Sequence, residues 1–136
     1  MSSRRDARRA AIDVMFQADV TGTDPVAALD EWERLRGPVA DFTRALVEGT
    51  AGRLLEIDRL LEARAQDWRV DRMPALDRTI LRVATFELIG RPDVPLAAVI
   101  DEAVEAANQL STQDSGRFVN GVLGAIARNL PEGSRS

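Results

Sequence analysis

The chain has 136 residues, 45% of them hydrophobic, with a formal net charge of −4. That length and composition fit one folded domain with its own core and exclude a wholly disordered chain. Cys and His are both absent, which removes disulfides, thiolate and imidazole metal ligands, and every Ser-His or Cys-His mechanism.

In chain order the sequence reads as helices punctuated by proline and glycine. A first helix is predicted from about Ser3 to Val20, with Ala7, Ala11, Val14, Met15 and Ala18 on one face. Thr21-Gly22-Thr23 ends it, and Asp24-Pro25 supplies an N-cap and a first-turn proline for a second helix carrying Ala28, Leu29, Trp32 and Leu35. Gly37-Pro38 stops that helix. A long third helix follows over about Val39–Ala65, its buried stripe running through Phe42, Leu46, Val47, Thr50, Leu54, Ile57 and Leu61. Gly49 and Gly52 weaken it and admit a kink or a close helix crossing. Residues 66–73, with Trp68 and Asp71, form a connection.

A fourth helix, about Pro74–Ile89, has few polar positions and is expected at the centre of the bundle. The turn Gly90-Arg91-Pro92-Asp93-Val94-Pro95 leads to a fifth helix, about Leu96–Leu110, which buries Val99, Ile100, Ala103, Ala107 and Leu110. It exposes Asp101, Glu102 and Glu105. Ser111–Ser115 is a loop rich in capping residues, and a sixth helix runs to about Leu130. Residues 1–3 and 131–136 are expected to fray. No window alternates as a strand does. The expectation is a single compact all-α bundle of about six to seven helices spanning residues 1–136. The longest uncharged run, Phe118–Ala127, is far short of the ~18 residues a membrane span needs, and no leader-like segment opens the chain, so a cytoplasmic address is expected.

No pattern for an enzyme is present. Gly49 and Gly52 follow no strand, so they form no phosphate loop. Asp101 and Glu105 share a helix face, but two carboxylates are a thin cation site and a solvated acidic face is preferred. No metal or cofactor is expected, and function by elimination is binding.

Two segments suit binding. Residues 1–9 hold Arg4, Arg5, Arg8 and Arg9 against Asp6, a net of +3, whereas the other 127 residues hold 14 Arg and 21 acids, a net of −7. Such an arm points to a nucleic-acid or acidic partner, although a solvated first helical turn accounts for it equally well. On a helix Arg5, Arg9, Ile12 and Phe16 share a face with Arg8 on its flank, so guanidinium groups lie near a ring on which a base can stack. The second segment is Asp114-Ser115-Gly116-Arg117-Phe118, which opens a helix whose free N–H groups favour an anion. Capping by Asp114 or Ser115 and core packing by Phe118 are the plainer alternatives.

Arg5-Asp6-Ala7-Arg8-Arg9-Ala10-Ala11-Ile12-Asp13-Val14-Met15-Phe16-Gln17 resembles the opening helix of the NusB family of bacterial transcription antitermination factors. The blocks Trp68–Arg72 with Asp77–Leu88, Asp93–Ala107 and Ser111–Leu123 resemble the rest of the family pattern, in order and over essentially the whole chain. The resemblance implies a non-enzymatic helical bundle that binds the boxA element of ribosomal RNA leaders, a short single strand, jointly with the ribosomal protein NusE. The pair helps load an antitermination complex on RNA polymerase.

Carried over by position, the resemblance implies RNA contacts at Arg4, Arg5, Arg8, Arg9, Phe16, Asp114, Ser115, Arg117 and Phe118. It implies a partner-facing set of Asp77, Arg78, Arg82, Glu87, Asp101 and Glu102, with Arg82 and Glu87 equally readable as internal ion pairs. Phe16 replaces a frequent Tyr and Asp101 a frequent Asn. Asn120-Gly121 is expected to serve helix packing. The same fold occurs as the N-terminal domain of an RNA cytosine methyltransferase, for whose catalytic domain this chain is expected to lack the length. A helical adaptor that binds NusE or itself without RNA is the alternative function, and a homodimer would hide the Arg face.

Overall fold

A computed structural model describes residues 3–65 and 69–135 and has seven α-helices: α1 (Arg4–Thr21), α2 (Pro25–Arg36), α3 (Asp41–Gly52), α4 (Leu54–Arg64), α5 (Ala75–Gly90), α6 (Leu96–Leu110) and α7 (Gln113–Arg128). A 3-10 turn over Val70–Arg72 precedes α5, and no strand occurs among the described residues. The expected all-α bundle is therefore observed.

The helix starts follow from capping chemistry. Ser3 Oγ accepts from Asp6 N at 3.1 Å while Asp6 reaches back to the Ser3 amide, a reciprocal box that opens α1. Asp24 accepts from Ala27 N at 3.0 Å with Pro25 at the first helical position. Thr112 Oγ1 accepts from Ser115 N at 3.0 Å, so α7 opens at Gln113 rather than at about Ser115. Neither Asp114 nor Ser115 is the cap.

The long third helix of the sequence reading is two helices. Arg53, at φ −119° and ψ 22°, leaves the helical conformation and separates α3 from α4. The break follows Gly49 and Gly52, both poor helix formers. Gly49 also serves a close crossing. A Cβ there would lie 2.0 Å from Cζ of Phe86 on α5, so only glycine lets that ring seat. Gly116 does the same for Asn108, whose Oδ1 would lie 1.9 Å from a Cβ. Gly121 faces open space, which corrects the packing role expected of it.

Helix α5 is central: it packs against α1, α3, α4, α6 and α7. Eleven of its 16 residues are buried. The first helix buries its predicted face, and Thr43 Oγ1 on α3 donates to Ala7 O on α1 at 2.9 Å. Leu110, predicted to be buried, is 40% exposed, because α6 turns its Ala106 and Ala107 inward instead.

Two residues of the ends expected to fray make defined contacts. Ser3 caps α1, and Arg135 donates to the carbonyls of Glu87, Leu88 and Arg91 at 2.7–3.0 Å. These carbonyls lie at the C-terminal end of α5, where the helix dipole favours a cation. Residues 1, 2 and 136 lie outside the described residues, as do residues 66–68, including Trp68 of the expected connection.

The two glycines of α3 give opposite predictions. Gly49→Ala drives a methyl into the Phe86 ring and is expected to destabilise the protein by about 1–3 kcal/mol. Gly52→Ala meets nothing within 4 Å and is expected to stabilise it by about 0.5–1 kcal/mol. Thermal unfolding of both variants checks the signs.

Candidate nucleic-acid interface

The four arginines of the first helix do not share one environment. Arg8 is buried between α1 and α5, where it grips Glu87, itself only 2% exposed: Nε to both carboxylate oxygens at 3.1 and 2.9 Å, and Nη2 to Oε1 at 2.8 Å. A forked, charge-assisted pair of this kind satisfies both ions out of water. Neither residue is open to RNA or to a partner, which corrects the RNA role of Arg8 and the partner role of Glu87. The internal ion-pair reading of Glu87 holds.

Arg5 and Arg9 point outward instead, along α6. Arg5 bonds Glu102 through two nitrogens at 3.1 and 3.2 Å and reaches Glu105 at 2.9 Å. The Glu102 hydrogen bond, reinforced by the charges of Glu102 and Glu105, raises the Arg5 pKa above its ordinary value. Arg9 donates to Gln109 Oε1 at 2.6 Å, and Gln109 donates in turn to Glu105 at 3.1 Å. Arg4 lies at the other end of the row, 4.2 Å from the centroid of the Phe42 ring and bonded to Asp93 at 3.2 Å. Arg91 also approaches Phe42, at 5.1 Å, and forks onto Asp93. These two guanidinium groups, Arg91 foremost, hold the Asp93 carboxyl down at about 2.

At the opposite end of α1, Phe16 is half-buried and stands outside the set of rings packed on the core, unlike Phe42 and Phe118. Asp77, 5% exposed, accepts from Ser115 Oγ at 3.0 Å and joins the start of α5 to the start of α7. Both are structural joints there and not surface contacts, which corrects the RNA role of Ser115 and the partner role of Asp77. Asp114 and Arg117 are exposed and paired with each other. Arg78 bonds Asp19 at 3.1 Å, and Arg82 forks onto Asp58 at 2.8 and 2.9 Å. These pairs tie α5 to α1 and α4, and the two half-buried arginines line a surface groove with Asp19 and Asp58. Of the expected partner face, Asp101 remains exposed and Glu102 half-buried.

The arm and the first turn of α7 flank the outer face of α6. Glu105 touches Arg5 on one side and lines a groove of about 570 Å³ with Asp101, Asn108 and Arg117 on the other. The basic arm and the start of α7 thus lie on either side of an acidic ridge on α6. Guanidinium groups and a half-exposed ring suit the binding of an anionic strand.

A sequence model of the NusB family matches residues 5–128. The chain belongs to the NusB family. It is 46% identical over 132 residues to the transcription antitermination protein NusB of Nocardioides sp., covering 96% of this chain and 98% of that one. To its counterpart from Saccharopolyspora erythraea it is 48% identical over 132 residues, with 93% and 88% covered. Among solved structures, NusB of T. maritima superposes with a TM-score of 0.84 at 34% identity, covering 94% of this chain and 92% of that one. A complex of the antitermination factors NusB and NusE with double-stranded RNA contains a chain similar at a TM-score of 0.80 and 25% identity, with 93% and 97% covered. This NusB-family chain is accordingly a transcription antitermination factor and not an enzyme.

Sequence reasoning missed Asp93 and Gln109 as members of the arginine network, because they meet Arg4 and Arg9 across 89 and 100 positions of chain, and it missed Arg91, which pairs locally with Asp93 and joins the network only through it and the Phe42 ring. It read Phe42 only as core. The one local hint was Glu87, an acid among buried apolar residues, which calls for a buried cation.

Two measurements test this arrangement. Arg8→Ala leaves Glu87 buried without its cation and is expected to cost about 3–5 kcal/mol in urea unfolding, against less than about 1 kcal/mol for Arg5→Ala at the surface. The Asp93 carboxyl, ordinarily near 3.8, is expected to titrate near 2 in the folded protein. Its contribution is then present in full above pH ~4 and lost as pH falls toward 2. Asp93→Asn should flatten that part of the acid-unfolding curve.

Proposed function

We propose that this protein binds a boxA-type single-stranded segment of ribosomal RNA leader transcripts jointly with NusE, and that the assembly acts on RNA polymerase to carry it through terminators. The observation that carries this reading is the outward row of Arg4, Arg5 and Arg9 leading toward the half-exposed ring of Phe16, on an otherwise acidic body. Phosphates take the guanidinium forks, and a splayed base stacks on the ring. Arg117, with Phe118 beside it, adds a contact at the start of α7. The solved complex of a relative with NusE and double-stranded RNA supports NusE and RNA as the classes of partner.

RNA has to compete for Arg5 with Glu102 and Glu105. That competition makes RNA alone a weak ligand, and NusE supplies surface that this chain lacks. The exposed Asp101 of α6 offers that partner a charged contact next to the arm.

Binding of boxA-like RNA in the presence of NusE should fall with salt at a log–log slope of about −2 to −3, as expected for three or four phosphates. Arg5→Ala and Arg9→Ala should each weaken binding and reduce the slope by about 0.7. Glu102→Gln should strengthen binding of RNA alone by removing a competitor for Arg5. Fluorescence anisotropy with a scrambled RNA as control decides the matter: equal affinity for both sequences, with and without NusE, would refute boxA recognition.

A further inference from the structure

Arg117 stands between two grooves of opposite electrical character. The α6–α7 groove carries Asp101 and Glu105, which repel a polyanion. The other groove, about 350 Å³ between the end of α4 and the outer face of α7, contains Arg64, Arg117 and Arg128 around Phe118, Gly121 and Ala125. Among the described residues no carboxylate lines it. Arg64 and Arg128 are exposed, and neither is ion-paired among the described residues. In a chain whose body has a net charge of −7, that is a local concentration of unspent positive charge.

The floor of the groove has a distinct shape. Arg117, Gly121, Ala125 and Arg128 fall on one face of α7, and the two guanidinium positions stand ~16 Å apart along the helix axis. Between them Gly121 and Ala125 present almost no side chain, and a Cβ on Gly121 would meet nothing within 4 Å. An amphipathic helix seeks deep apolar anchor pockets at i, i+4 and i+7, and this shallow floor has none. A flexible chain with charge at regular intervals fits it better, with guanidinium groups for its phosphates.

We infer that the RNA strand held at the arm and at the first turn of α7 continues into the α4–α7 groove, where Arg64 and Arg128 bind its phosphates. This rests on the RNA reading above and adds a site and a direction to it: the strand passes over Phe118 toward α4 and avoids the acidic α6–α7 groove.

The test compares a short boxA-like RNA with the same RNA lengthened by six nucleotides at either end, titrated against the full chain with and without NusE. Lengthening at one end should tighten binding. It should also steepen the log–log salt slope by about 1.4, that is, add a loss of about sevenfold between about 50 and about 200 mM salt, as expected for two more phosphates. The double variant R64Q/R128Q should lose both gains while binding the short RNA as the unaltered chain does and keeping its helicity by circular dichroism. Binding of the short RNA with no gain from either extension, or a gain that survives in R64Q/R128Q, overturns the proposal while leaving the arm site standing. No binding of either RNA sinks both readings. If a glutamate-rich peptide binds in an R64Q/R128Q-sensitive way and the lengthened RNA does not, the groove serves an acidic protein segment and the RNA assignment fails.

Discussion

The forked pair between Arg8 and Glu87 fixes which way the first helix faces. α1 carries four arginines within six positions, and a helix free to roll would present any two of them. With Arg8 drawn into the interior by a carboxylate on the central helix, Arg5 and Arg9 are left to point along α6, and Arg4 toward the α5–α6 turn. A buried ion pair is not by itself a source of great stability, since desolvation offsets much of its attraction. Its value here is orientation: only one rotation of α1 satisfies both Glu87 and the apolar face of Ala11, Val14, Met15 and Ala18.

Around that fixed point the surface is organised by competition between charges of opposite sign. The carboxylates of α6 hold Arg5 directly and Arg9 through Gln109, and on the RNA reading proposed above the same residues repel a polyanion between the arm and α7. Exposed pairs of this sort contribute little to stability and are weakened by salt, so they can yield to phosphates. The pairs that hold the fold, Arg78 with Asp19 and Arg82 with Asp58, lie partly covered on a different flank of α5. The arginines that hold the fold are therefore a different set from those proposed for RNA.

How much of this was legible in the sequence depended on range. Periodicity located the helices, the buried face of α1 and the centrality of α5, because each is a property of neighbouring residues. The break at Arg53 was signalled by Gly49 and Gly52 but not placed, since glycine weakens a helix without saying where it ends. The role of Arg8 was misread for the opposite reason. It sits three and four positions before Ala11 and Ile12, on the buried stripe, yet a charged residue on such a stripe reads as surface until its partner is found 79 positions away. Ser115 and Asp77 were likewise visible as polar residues near helix starts, while their mutual bond across 38 positions was not. Gly116 and Gly121 are five positions apart in the same helix, and nothing in their local sequence tells which one faces Asn108.

Arg135 and Arg4 reach the same corner of the molecule. One bonds the backbone of Arg91, the other the side chain of Asp93. The described beginning and end of the chain are thus fastened to a single turn, and the polypeptide closes on itself like a loop of string knotted at one point. A permuted version, with the two ends bridged by a short flexible linker and new ends opened at the exposed Gly22–Thr23 turn, would keep every helix contact. It would also move any appended label from beside the arginine row to the far end of α1, where it leaves Arg4 and Arg5 unencumbered.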